Sequence, residues 1–73
     1  MVGKIVTVNA AKGFCFARMP DGRDAFLHAG QLLLEDGEQF GAHLNGREVD
    51  FELCTGLKGP WAKGARLVVD WSN

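Results

Sequence analysis

Between positions 12 and 29 the chain places Lys12, Phe14, Phe16 and Arg18, then Asp24, Phe26 and His28, each set at every second residue. A Pro-Asp-Gly turn at residues 20–22 separates the two runs. Alternate residues of a strand share a face, so a hairpin pairing Arg18 with Asp24 sets Phe16 opposite Phe26 and Phe14 opposite His28. The other face then carries only Cys15, Ala17, Ala25, Leu27 and Ala29. Large aromatics normally go to the core and cations to water, yet here they travel together. The chemistry that suits this combination is stacking: flat rings receive nucleobases while neighbouring cations meet phosphates. Phenylalanines opposed across a hairpin are also ordinary core pairs, and that reading leaves Lys12, Arg18, Asp24 and His28 at the rim of a core. The register shared by charges and rings favours the platform, as does the small-residue face available as an alternative core.

Catalysis has less to draw on. The chain shows no nucleophile–base pair, no paired carboxylates in a plausible pocket and no phosphate-binding glycine loop. His28 alone could move a proton, but on an aromatic platform it is better suited to stacking or to a hydrogen bond with a base. Cys15 and Cys54 are too few for a disulfide framework, and Cys15 reads as a small inward hydrophobe. Neither cysteine has a second ligand at zinc-like spacing, and His28 and His43 stand alone. The expectation is a binding protein with no enzymatic activity, no metal and no cofactor.

At 73 residues, 47% hydrophobic and 23% charged, the chain reads as one small globular domain spanning 1–73. No apolar run approaches the roughly 20 residues that span a bilayer, and the N-terminus lacks the pattern of a secretory signal. These features lead to the expectation of a cytoplasmic protein without a membrane partner. A net charge of −1 argues against gripping duplex DNA by bulk electrostatics. The charge is uneven along the chain. Lys4, Lys12, Arg18 and Arg23 oppose Asp21 and Asp24 in residues 1–30, whereas Glu35, Asp36, Glu38, Glu48, Asp50 and Glu52 oppose Arg47 in residues 31–54. Residues 55–73 turn basic again with Lys58, Lys63 and Arg66 against Asp70. A basic side and an acidic side suit a polyanion approached in one orientation; a neutral, solvated surface is the plainer alternative.

The elements that must position these groups are short strands. Residues 4–9 are rich in β-branched side chains and read as the first strand, with 12–18 and 24–29 as the hairpin. Residues 30–45 form an irregular connection with one short helical turn at 31–35. After the Asn45-Gly46 turn, residues 47–54 alternate: Val49, Phe51 and Leu53 inward, Glu48, Asp50 and Glu52 outward. Gly56, Gly59, Pro60 and Gly64 make 55–65 a loop, and 66–71 the last strand, its Leu67, Val68 and Val69 covered on both sides. Five short strands without a substantial helix predict an all-β fold, a small five-stranded antiparallel barrel that leaves no exposed edges.

With these residues in view, the chain resembles the cold-shock domain, an oligonucleotide-binding (OB-fold) barrel. Lys12-Gly13-Phe14-Cys15-Phe16-Ala17 is similar to the family's first ribonucleoprotein motif, Lys-Gly-Phe-Gly-Phe-Ile. Ala25-Phe26-Leu27-His28-Ala29 is similar to the second, Val-Phe-Val-His-Phe. Gly3-Lys4-Ile5 and Asn9 match the opening strand and turn, and Lys58-Gly59-Pro60 the loop before the last strand, so the similarity covers roughly residues 2–69. The resemblance implies binding of single-stranded RNA or DNA with little sequence preference, and a role as RNA chaperone or regulator of transcription or translation. Carried over residue by residue, it implies a platform of Lys12, Phe14, Phe16, Phe26 and His28, a loop aromatic at Phe40, and a contact at Lys58.

The chain departs from the family in places that bear on affinity. Thr7-Val8 stands where the family has Trp-Phe, and Ala29 where the second motif ends in phenylalanine. Each base–aromatic stack is worth about 1–3 kcal/mol, so losing two or three weakens binding by a factor on the order of 10²–10⁴. Trp61 stands where the family more often has glutamine; it either stacks on a base or folds back to cap the barrel. Trp71 reads as a packing residue at the barrel's open end. The departures and the acidic stretch keep a second expectation alive: an interaction or regulatory barrel with weakened nucleic-acid binding.

Overall fold

The computed structural model describes residues 1–34 and 37–68. Its strands are β1 (Val2–Asn9), β2 (Phe14–Arg18), β3 (Asp24–His28), the two-residue β4 (Leu32–Leu33), β5 (Glu48–Gly56) and β6 (Gly59–Leu67). They run in the order β3-β2-β1-β5-β6, with β4 added to β6, and a β3–β6 pairing closes the five long strands into a barrel. Each neighbour along that order is antiparallel, whereas the closing bridge Phe26↔Trp61 is parallel. The parallel seam follows from the odd strand number: five alternating directions leave the first and last strands pointing the same way. The all-β barrel expected from the sequence is present, its five long strands antiparallel but for that seam, with the short β4 added parallel to β6.

The β2–β3 hairpin has the expected register, Arg18↔Asp24, Phe16↔Phe26 and Phe14↔His28. Its turn is fixed locally. Gly22 takes φ 91° and donates its N–H to the Met19 carbonyl at 2.9 Å, while Asp21 Oδ1 accepts from the Arg23 N–H at 3.0 Å. The strands are shorter than expected at their far ends. Asn9 turns the chain there, its side chain accepting from the Lys12 N–H and its carbonyl from the Gly13 N–H. Lys12 and Gly13 therefore belong to a turn, and Ala29 opens a single 3-10 turn, Ala29–Gln31. The helical turn expected at 31–35 is displaced to that segment, and Leu32–Leu33 instead forms β4 alongside β6.

The largest correction concerns residues 55–65, expected as a loop. They complete a β5–β6 hairpin in which Gly56 pairs with Gly59 around Leu57 and Lys58, Thr55 with Pro60, and Cys54 with Trp61. Gly59 adopts φ 113° at the turn, and Gly64 adopts φ 57° at a bulge where β6 carries one residue more than β5 between its pairings with Glu52 and Asp50. That extra residue lets Ala62 and Ala65, three apart, both point inward and be buried. The Gly64 N–H, taken out of the ladder, donates to Gln31 Oε1 at 3.0 Å. A second bulge lies in β1, where Val6↔Phe16 gives way to Asn9↔Phe14 and Thr7 takes φ 52°. Both bulges curl their strands, as closure of a small barrel requires. β6 ends at Leu67, which is half-buried, and Val68 is exposed rather than covered on both sides. Val69 and Trp71 lie outside the described residues.

The core is built mainly from small and aliphatic side chains: Ile5, Cys15, Ala17, Met19, Ala25, Leu27, Leu44, Val49, Ala62 and Ala65 are essentially inaccessible, joined by Leu32 and the aromatic Phe51. Burial pushes the Cys15 thiol up to about 11, so it is a neutral packing group. Such a core demands close approach of strands. A Cβ on Gly3 would stand 2.8 Å from the Arg18 carbonyl oxygen and 3.2 Å from the Phe51 ring. Gly3→Ala is therefore expected to destabilise the fold by about 1 kcal/mol, lowering the thermal midpoint by roughly 4–8 °C for a domain of this size, which a circular-dichroism melt measures.

The strand register also revises the charge picture. Glu48, Asp50 and Glu52 are exposed along β5, but Lys4 on β1 lies opposite Glu48, and Arg66 and Lys63 on β6 lie opposite Asp50 and Glu52. Among the described residues, the β5 acids are thus interleaved with basic ones and form no separate acidic side; Glu35 and Asp36 lie outside the described residues.

Candidate nucleic-acid interface

Because β2 and β3 bury Cys15, Ala17, Ala25 and Leu27 completely, their alternate residues must face outward. Phe26 is 39% exposed, His28 is exposed, and Phe14 and Phe16 are half-buried. The three rings cover one another rather than entering the barrel. Phe14 and Phe26 stack at 5.5 Å between centroids with 30° between planes, and Phe16 stands edge-on to each at 5.9 Å. Edge-on and offset contacts of this kind fix ring orientation while leaving an aromatic surface toward solvent.

Trp61 joins this face from the other side of the seam. It pairs with Phe26 across the parallel bridge and is half-buried on β6, so it is a strand residue. A Cβ on Gly56 would come within 3.3 Å of its Cδ1 and 3.4 Å of its Nε1, which places the indole directly over that glycine. Between the indole and the rings of Phe16 and Phe26 lies an open cleft of about 660 Å³, lined also by Leu57, Lys58, Pro60 and Asp24. Leu57 is fully exposed at the hairpin tip.

The polar groups have defined roles. His28 Nδ1 accepts the Gly30 N–H at 3.0 Å, so in the neutral ring Nε2 carries the proton and is the available donor. Arg18 donates through Nε to Asp24 Oδ1 at 2.9 Å and through Nη2 to Oδ2 at 3.2 Å. Those hydrogen bonds, against some desolvation, hold the Asp24 carboxyl below its ordinary value and keep the Arg18 charge occupied. Arg23 is likewise paired with Asp21 at 2.7 Å. Among the described residues, Lys12 and Lys58 form no ion pair; Lys12 sits in the turn before β2 and Lys58 at the hairpin tip, both exposed.

The structure thus brings Phe14, Phe16, Phe26, His28, Trp61 and Lys58 onto one side of the molecule around β2, β3 and the β5–β6 turn, with Lys12 at its end. Phe40 packs half-buried against the core cluster and takes no part in these ring contacts. Thr7 is exposed on β1 and Ala29 is half-buried in the 3-10 turn, so neither supplies a ring. Gly56 and Leu57 also belong to the face, which the sequence reading did not anticipate; Pro60, in the Lys-Gly-Pro segment that reading had matched, joins them. The Gly-Leu-Lys-Gly spacing, two residues between two glycines, is the signal for the hairpin that presents them.

Compared with known proteins, the chain is 36% identical over 63 residues to cold shock-like protein CspE of Bacillus anthracis, covering 86% of this chain and 90% of that one. It is 37% identical over 60 residues to cold shock protein CspB of Geobacillus stearothermophilus, covering 82% and 86%. Cold shock protein CspD of Bacillus subtilis is 35% identical over 60 residues, with the same coverage. No family model matches the chain.

Proposed function

The chain belongs to the cold-shock protein family, and from that premise we propose that its aromatic face binds single-stranded RNA or DNA by base stacking. Phe14, Phe16, Phe26, His28 and Trp61 are the stacking surface, and Lys12 and Lys58 the phosphate contacts. The observation that carries this reading is the inversion of the hairpin: small residues fill the core while three phenylalanines, self-supported at 5.5–5.9 Å, remain outside. An aromatic cluster on a solvent face with cations at its ends suits a ligand that is flat, apolar on its faces and anionic along its backbone. Stacking accepts any base, so the binding has low sequence specificity. The role is binding rather than catalysis: holding cytoplasmic transcripts unpaired as an RNA chaperone or regulator of gene expression. The bare positions at Thr7 and Ala29 favour lower affinity than a full platform would give.

Titration of a short oligothymidine, an oligoadenine and a duplex at several salt concentrations tests the proposal. Both single strands are expected to bind and the duplex to bind more weakly. With Arg18 and Arg23 engaged in ion pairs, few cations remain, so log K against log salt is expected to slope by only about −1 to −3. Duplex affinity equal to that for single strands would contradict stacking, and absence of single-strand binding at low salt would favour an interaction barrel.

A further inference from the structure

His28 brings a hydrogen-bonding ring to the aromatic face, and that ring is held from behind by a segment that has already left the strand. Its Nδ1 accepts the Gly30 N–H at 3.0 Å. A Cβ on Gly30 would stand 3.2 Å from Nδ1 and 3.6 Å from Cε1, so the imidazole rests directly on a glycine. Gly30 lies in the 3-10 turn Ala29–Gln31, closed by the Leu32 N–H donating to the Ala29 carbonyl. One such turn has little stability of its own, so its position has to be fixed from outside. At its start the Ala29 N–H donates to the Gly13 carbonyl at 2.9 Å, tying it to the turn before β2. At its end Gln31 Oε1 accepts the Gly64 N–H at 3.0 Å, across 33 positions of the chain. Gly64 adopts φ 57° at the β6 bulge, so its N–H has left the ladder and needs an acceptor. Gln31 itself is exposed and takes no part in the core.

We propose that Gln31 is a positioning residue for nucleic-acid binding. By tying the turn to β6 it holds Gly30 under the His28 ring and keeps Nε2–H directed outward as a single donor to an acceptor on the bound strand. The inference rests on the nucleic-acid reading above and adds to it a residue that lies off the aromatic face. Orientation of the ring is what Gln31 controls. A neutral imidazole without the Gly30 bond turns about its side-chain torsions and exchanges its two tautomers, so part of the population presents Nε2 as an acceptor. With Nδ1 occupied, His28 meets the strand as a donor only.

Two substitutions separate the tie from the side chain's bulk. Gln31→Met keeps the length and removes the acceptor, whereas Gln31→Glu keeps the acceptor. Position 31 is exposed, so thermal melts are expected to show both variants folded. In the ligand-free protein at alkaline pH, the ring-nitrogen chemical shifts of His28 are expected to report one tautomer, protonated at Nε2, in the native chain and in Gln31→Glu. Gln31→Met should move them toward the mixture of an unconstrained imidazole. The same variant should bind oligothymidine about three- to fivefold more weakly, the scale of one neutral hydrogen bond. In a His28→Ala background it should cost nothing further, because the group it positions is gone. Unchanged affinity or unchanged nitrogen shifts in Gln31→Met, or an equal loss with His28 absent, would overturn the role of Gln31 while strand binding by the native chain stands. Failure of the native chain to bind oligothymidine would overturn the nucleic-acid reading, and this role with it.

Discussion

Replacing Phe14 and Phe26 together with alanine is expected to weaken oligothymidine binding by a factor on the order of 10²–10⁴ while the barrel remains folded. Each ring offers one stack, worth about 1–3 kcal/mol. The two effects should couple, because the rings stack on each other at 5.5 Å and removing one frees the other to move. Each single variant is therefore expected to bind better than the double, with effects that do not simply add, and a double-mutant cycle reads the coupling. Folding should suffer far less than binding. Phe26 is exposed, and Cys15, Ala17, Ala25 and Leu27 on the opposite face of β2 and β3 are the ones buried in the core. A thermal melt run beside the titration separates the two effects. Normal binding by a folded double variant would rule out the platform.

Trp61→Ala is expected to weaken oligothymidine binding by about 1–2 kcal/mol, the scale of one stack, and to abolish most of the fluorescence quench. The expectation follows from the strand setting of this residue: bridged to Phe26, seated on Gly56 and facing the cleft. Placement on β6 moves the aromatic surface relative to a platform that starts on the first strand, since Thr7 contributes none. The surface of this chain thus runs from β2 across β3 to β6. Unchanged affinity in Trp61→Ala, with quenching persisting, would make the indole a structural cover for the seam.

Where sequence logic succeeds and where it fails has a common physical cause. Strict alternation reads directly onto a pleated strand, so the faces and register of residues 14–18 and 24–28, and the inward Val49 and Phe51, can be read from the chain alone. What cannot be read depends on neighbours distant in sequence. Gly56, Gly59, Pro60 and Gly64 suggest a loop because glycine and proline usually interrupt strands. In the barrel each residue has its own place. Gly56 seats an indole, Gly59 makes the turn, Pro60 lies beside that turn, and Gly64 forms the bulge whose freed N–H goes to Gln31. The charge blocks mislead for a similar reason. Counting along the chain separates acids from bases, whereas pairing of β1, β5 and β6 sets them opposite one another. Arg18 is a candidate phosphate contact by position, but its cross-strand partner Asp24 engages it. The aromatic centre of the candidate site is thus visible in sequence; the ion pairs that engage Arg18 and Arg23 and the strand setting of Trp61 are not.

The central claim, that the outer face of β2 and β3 together with the β5–β6 hairpin is where nucleic acid binds, is tested most directly by an amide chemical-shift titration of the labelled chain with oligothymidine. Binding there predicts saturable shifts concentrated at residues 12–17, 26–30 and 56–61, with the Trp61 indole N–H among the largest. The interleaved charges of Glu48, Asp50, Lys63 and Arg66 on the outer faces of β5 and β6 should stay near their free positions. Shifts concentrated on that charged face, with Phe14, Phe16 and Phe26 unmoved, would contradict it.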